Sequence, residues 1–205
     1  MNDAIFCLIE ASKVLNTDKY VLGGWLVDND GNPTASSGEF SSCRDELIRA
    51  ITVYSSRLFR KKKNFTNEHS AYLTPVEVVL GADMFMSRKV VDDSGMFDPA
   101  FFMYYEEMDW QFRMSKLNIP RYLVSTPKII HLCGGSQGVQ PNKKKMGRIL
   151  RITKSMFIYL RKYNNGFKVT MFKYLYLLLR LLPVLFVPEY TNDEKKQYIK
   201  LLISE

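Results

Sequence analysis

Three carboxylates, Glu106, Glu107 and Asp109, stand within four positions directly behind the aromatic run Phe101-Phe102-Met103-Tyr104-Tyr105. Clustered acids raise one another's pKa, so one of them can accept a proton or the group can hold a metal ion. An aromatic wall beside them excludes water and offers a face on which a sugar or nucleoside ring can stack. The same residues also fit a plainer description, a strand end followed by a solvated helix start, because helix N-termini favour Asp and Glu. If a helix begins near Glu106, Asp109 and Arg113 lie four apart on one face and can pair, which leaves Glu107 as the free acid. Trp110 reads either as a platform for a sugar ring or as core packing.

The flanking elements must position these groups. Residues 20–27 form the short apolar run of a buried strand, and Asp28-Asn29-Asp30-Gly31-Asn32-Pro33 is a tight turn. Residues 44–59 read as a helix or a mobile segment, and 64–71 as a polar loop. Residues 76–80 suit a central strand feeding the Gly81-Ala82 turn, where small residues let backbone approach a ligand. Asp83 could then hydrogen-bond a sugar hydroxyl or cap a helix. Arg88 and Lys89 open a helix, and Gly95-Met96-Phe97-Asp98 is a turn with a buried Phe. Downstream, Ile129-Ile130-His131 runs into Gly134-Gly135-Ser136, whose amides suit phosphate, while His131 is either a structural histidine or a metal ligand.

In order and spacing these segments resemble the C-terminal half of the catalytic domain of family 2 glycosyltransferases. These are inverting enzymes of the GT-A fold, including rhamnosyl- and other polysaccharide-building transferases. The resemblance covers residues 20–165 and rests on Gly81-Ala82-Asp83 through Arg88, Gly95-Met96-Phe97-Asp98, Phe101 through Arg113, and His131 through Ser136. Glu107 stands where the family has Asp, Pro99 where it has Glu, and Ser94 where it has Gly. The resemblance implies that Glu107 is the general base and that Glu106 and Asp109 orient the acceptor or the base. It also implies that Gly81, Ala82, Asp83, Trp110 and Arg113 bind substrate, and that His131 helps to hold a divalent metal, Mn or Mg, near the donor diphosphate. The implied partners are a nucleotide-sugar donor and a saccharide or polyprenyl-linked acceptor, and the implied role is cell-surface polysaccharide synthesis. A non-catalytic acceptor-binding or assembly module derived from the same fold is the alternative.

The implied fold is α/β, a partial GT-A domain over residues 1–145 without its N-terminal nucleotide-binding half, followed by a helical, basic amphipathic tail over 146–205. The opening helix, with Ile5, Leu8, Ile9, Ser12 and Leu15 in apolar period, looks like the one that follows the metal-binding Asp-x-Asp turn, with Asp3 a candidate for its last member. An exposed half-domain edge could make the chain a homodimer. With 205 residues, 46% of them hydrophobic, and thirteen Phe and twelve Tyr, the chain is globular rather than disordered. Cys7, Cys43 and Cys133 lack metal or redox spacing, which points to a reducing, cytoplasmic compartment. The net charge of +8 gathers in Arg57 through Lys63 and Lys143 through Lys162. With no nucleic-acid motif beside these runs, phosphate or lipid headgroups are expected rather than DNA or RNA. The basic helix from Met146 and the apolar stretch 169–187, interrupted by Lys173, Arg180 and Pro183, fit peripheral, in-plane attachment to the inner face of the cell membrane, the alternative being a helix pair that packs on the catalytic core or on a second subunit.

Overall fold

A computed structural model describes residues 3–58, 71–132, 143–186 and 190–204. In chain order the elements are α1 (Ala4–Lys13), β1 (Val21–Val27), β2 (Ser37–Gly38), α2 (Cys43–Leu58), β3 (Leu73–Pro75), β4 (Val78–Val79), β5 (Phe85–Met86), α3 (Arg88–Ser94), α4 (Glu106–Lys116), β6 (Arg121–Ile130), α5 (Lys143–Tyr163), α6 (Gly166–Phe186) and α7 (Asn192–Ser204). They fall into two compact units, one made of Met1–Phe40, Lys63–Asp98 and Glu106–Ser136, the other of Ser41–Lys62, Pro99–Tyr105 and Gln137–Glu205. The helices after Met146 therefore share a unit with α2.

The first unit is mixed α/β. Its four-stranded sheet has the order β3-β6-β1-β5, with β1 and β6 parallel and the outer strands antiparallel to their neighbours. β1 is buried along its whole length, so its two-residue alternation feeds two cores. Val21 joins Val79, Val90, Trp110, Met114 and Ile119, the cluster that seats α3 and α4. Leu22 joins Leu8, Ala11 and Val124, the cluster that seats α1. Only Leu8 and Ala11 of α1 are buried, whereas Ile5, Phe6 and Ile9 are exposed, so the apolar face read from the sequence is only half used. Asp3 is the N-cap of α1, accepting from the amides of Ile5 at 3.1 Å and Phe6 at 3.3 Å. Capping explains that carboxylate without a metal.

Two further differences from the sequence reading have clear causes. The segment 76–80 is not a central strand; only Val78–Val79 is extended, and it pairs with β2 outside the main sheet. Where a strand was expected there, the long strand is β6, whose sequence contains Pro127. Its pairing with β1 slips between Gly23↔Leu123 and Trp25↔Lys128. An irregularity of this kind tolerates a proline that a regular central strand would not. Gly23 is needed nearby, since a Cβ there would lie 2.4 Å from Val79 Cγ1.

In the second unit, α5 turns Met156, Phe157 and Leu160 inward. Phe157 meets Phe172 at 5.5 Å and Tyr176 at 6.1 Å on α6. Buried Glu46 accepts from Tyr105 Oη at 2.7 Å and from Ser41, and pairs with Arg49 at 3.0 Å. Tyr104 and Tyr105 take left-handed backbone angles, φ 71° and 66°, a conformation that costs a non-glycine residue on the order of 1–3 kcal/mol.

Candidate active site

α4 begins at Glu106, as the acid cluster predicts, with Glu106, Glu107 and Asp109 in its first turn. Its position is fixed by a residue that the sequence reading passed over. Gln111, fully buried, donates from Nε2 to the Val79 carbonyl at 2.7 Å and accepts from the Val79 amide at Oε1, also at 2.7 Å. The side-chain amide acts as a one-residue strand alongside β4. Gln111 lies four residues after Glu107, so both project from the same side of the helix. Glu107 is accordingly laid over Gly81, two residues beyond Val79, where a Cβ added to the glycine would sit 3.5–3.6 Å from the Glu107 side chain. The available signal was a polar residue three positions before buried Met114, within the inward stripe of the helix.

Glu107 is a group with perturbed chemistry. Burial raises its pKa above the usual carboxylate range, and the neighbouring charge of Glu106 adds to the rise, while the backbone amides of Glu107 itself and Gly81 oppose it. Among the described residues, one oxygen of Glu107, Oε2, is buried without a hydrogen-bond partner, and so is Oε2 of Glu106. A buried carboxylate oxygen without a partner has hydrogen-bonding capacity to spare.

The other acids and their neighbours hold the frame. Asp109 is fully buried and pairs with Arg113 Nε at 3.2 Å, the i,i+4 contact read from the sequence. Arg113 also donates to the carbonyls of Ser94 and, at 2.6 Å, Met96, tying α4 to the end of α3. Trp110 is core: its indole N–H donates to Ser94 Oγ at 2.9 Å and the Gly95 carbonyl at 2.7 Å, and its ring leans on Phe97 at 4.5 Å. With 6% of its surface exposed it has no face for a sugar. Phe97, expected buried, keeps its other side exposed.

Asp83 is neither a helix cap nor open to solvent on all sides. Continuing the β1–β5 register past Leu22↔Phe85 places Asp83 opposite Gly24, and its carboxylate accepts the Gly24 amide at 2.6 Å in place of a strand carbonyl. Burial raises its pKa, opposed by that same amide. Gly81 and Ala82 are exposed. His131 continues the sheet, its amide donating to the Val27 carbonyl at 2.8 Å, with its side chain half-buried. Gly134, Gly135, Ser136 and Cys133 lie outside the described residues. Among the described residues no three His, Cys, Asp or Glu side chains are grouped to hold a metal ion, so these residues alone do not complete the Mn or Mg site implied for His131. Of the aromatic run, Phe101 is buried and Tyr105 is hydrogen-bonded, whereas Phe102 is 85% exposed.

Comparison of the chain with protein-family models, with curated proteins and with solved structures found no match. What the site can do therefore follows from its residues alone.

Proposed function

We propose that the start of α4 is the acceptor-activating centre of an inverting glycosyltransferase of the GT-A type. Its donor is a nucleotide sugar, and its acceptor is a saccharide or polyprenyl-linked hydroxyl. The observation that carries this reading is Glu107: a half-buried carboxyl group seated over Gly81, raised in pKa, and with one oxygen that has no hydrogen-bond partner among the described residues. A general base works best when its pKa lies nearer the working pH than that of an ordinary carboxylate. Glu107 takes the acceptor proton as the acceptor oxygen attacks the anomeric carbon. The bond from that carbon to the diphosphate breaks on the opposite face, the diphosphate leaves with the electron pair, and configuration inverts. Glu106 supports the transfer by keeping negative charge beside the base. Asp109, Arg113, Trp110 and Gln111 hold the helix that presents it. The exposed Gly81-Ala82 turn is where the acceptor reaches Glu107.

The test is Glu107→Gln, assayed for sugar transfer and, by calorimetry, for binding of UDP-, GDP- and dTDP-sugars with and without manganese. Turnover should fall on the order of 100-fold or more, the usual contribution of a general base, with donor affinity unchanged. Transfer at the wild-type rate would remove Glu107 from the reaction. If the wild-type chain neither binds donor nor transfers sugar, either the donor site belongs to the nucleotide-binding half that the resemblance implies is missing here, or the acceptor-binding module takes the place of the enzyme.

A further inference from the structure

We infer that the outward face of α6 is a docking surface for an anionic lipid bilayer. The inference stands apart from the glycosyltransferase reading. Phe167, Met171, Tyr174, Leu175 and Leu178 follow one another at helical spacing and so share one face of α6. Their exposure runs from 43% at Leu175 to 79% at Phe167. The opposite face, with Val169, Phe172 and Tyr176, is buried, so the core of the unit has no further use for the stripe. The basic amphipathic helix read from the sequence, α5, is not the lipid-facing element, because its apolar side is turned inward onto Phe172 and Tyr176.

Charge identifies the occupant. Across residues 143–186, which span α5 and α6, there are eleven Lys or Arg and no Asp or Glu. Lys168 is exposed beside Phe167, and Arg161 and Lys162 are exposed at the end of α5. An apolar stripe rich in Phe, Tyr, Met and Leu, on a helix that carries Lys and Arg but no Asp or Glu, matches an interface of acyl chains beneath anionic headgroups. Among the described residues no helix is long and apolar enough to cross a membrane, so α6 lies along the interface.

The experiment is flotation of the full chain with phosphatidylcholine vesicles and with vesicles in which about a third of the lipid is phosphatidylserine. The wild type should float with the anionic vesicles and be released from them by high salt. The double variant Phe167→Ser/Leu178→Ser should partition about 100-fold less, and Lys168→Gln several-fold less on anionic vesicles only. Both replaced apolar side chains are exposed, so circular dichroism should match wild type. Equal flotation of the double variant would overturn the proposal, as would salt-insensitive binding to both vesicle types. It would also be overturned by a soluble dimer that ignores vesicles and is dissociated by the double variant, because the stripe would then be covered by a second copy.

Discussion

Replacing Gln111 with Leu keeps the approximate volume of the side chain and removes its hydrogen bonding. Val79 is 1% exposed, and both its amide and its carbonyl are hydrogen-bonded to Gln111 at 2.7 Å. Each buried backbone group left unpaired costs about 1–3 kcal/mol, so the pair costs about 2–6 kcal/mol against a total domain stability of about 5–15 kcal/mol. Gln111→Glu separates the two halves of the clamp. The carboxylate still accepts from the Val79 amide but cannot donate to the Val79 carbonyl, whereas the protonated acid can do both. Folding therefore raises the pKa of that Glu, and the variant loses stability as pH rises through the folded value. Both tryptophans, Trp25 and Trp110, belong to the first unit, so fluorescence during urea unfolding reports on that unit. Gln111→Leu should shift the midpoint without changing the slope, and the penalty of Gln111→Glu should be smaller at pH 5 than at pH 8. A Leu variant within about 1 kcal/mol of wild type, below the cost of even one orphaned group, would refute the clamp; so would a Glu variant indifferent to pH.

Two other outcomes follow from the same unit. Gly23→Ala forces a methyl group to within 2.4 Å of Val79 Cγ1 and 3.0 Å of the Asp83 carbonyl, and should cost about 1–3 kcal/mol by overpacking; Gly81→Ala, whose new contacts begin at 3.5 Å, should cost less, and urea midpoints of the two variants rank them. Because the folded pKa of Glu107 is raised, the native state holds its proton longer than the unfolded chain, and wild-type stability falls as pH rises from the ordinary Glu value of 4.5 through the folded value; Glu107→Gln should gain on wild type across that window and hold a constant advantage above it, and thermal unfolding at stepped pH would show parallel curves if the shift were absent.

Much of α4 was legible in the chain. Acids at 106, 107 and 109 mark a helix start, and the four-residue spacing of Asp109 and Arg113 predicts the ion pair that forms. The helix α1, the helix beginning at Arg88 and the strand Val21–Val27 could be read for similar local reasons, whereas the capping role of Asp3 could not. What could not be read depends on where distant backbone groups find partners. Asp83, Trp110 and Arg113 have the residue types of a sugar site, yet their polar atoms meet Gly24, Gly95 and Met96 across the fold. Gln111 looks like an ordinary surface amide until β4 is placed beside it. Pro127 argues against a strand locally, and only the slipped register with β1 makes room for it.

The side-chain bond from Asp83 to Gly24 also bears on how the sheet meets other chains. At one margin β5 is two residues long, and just before it a carboxylate occupies the next amide along β1. At the other margin β3 ends in Pro75, which has no amide hydrogen to offer. Short margins marked by a charge or a proline are poor templates for an incoming strand. The described margins of the four-stranded sheet are thereby poor sites for edge-to-edge aggregation and strand exchange.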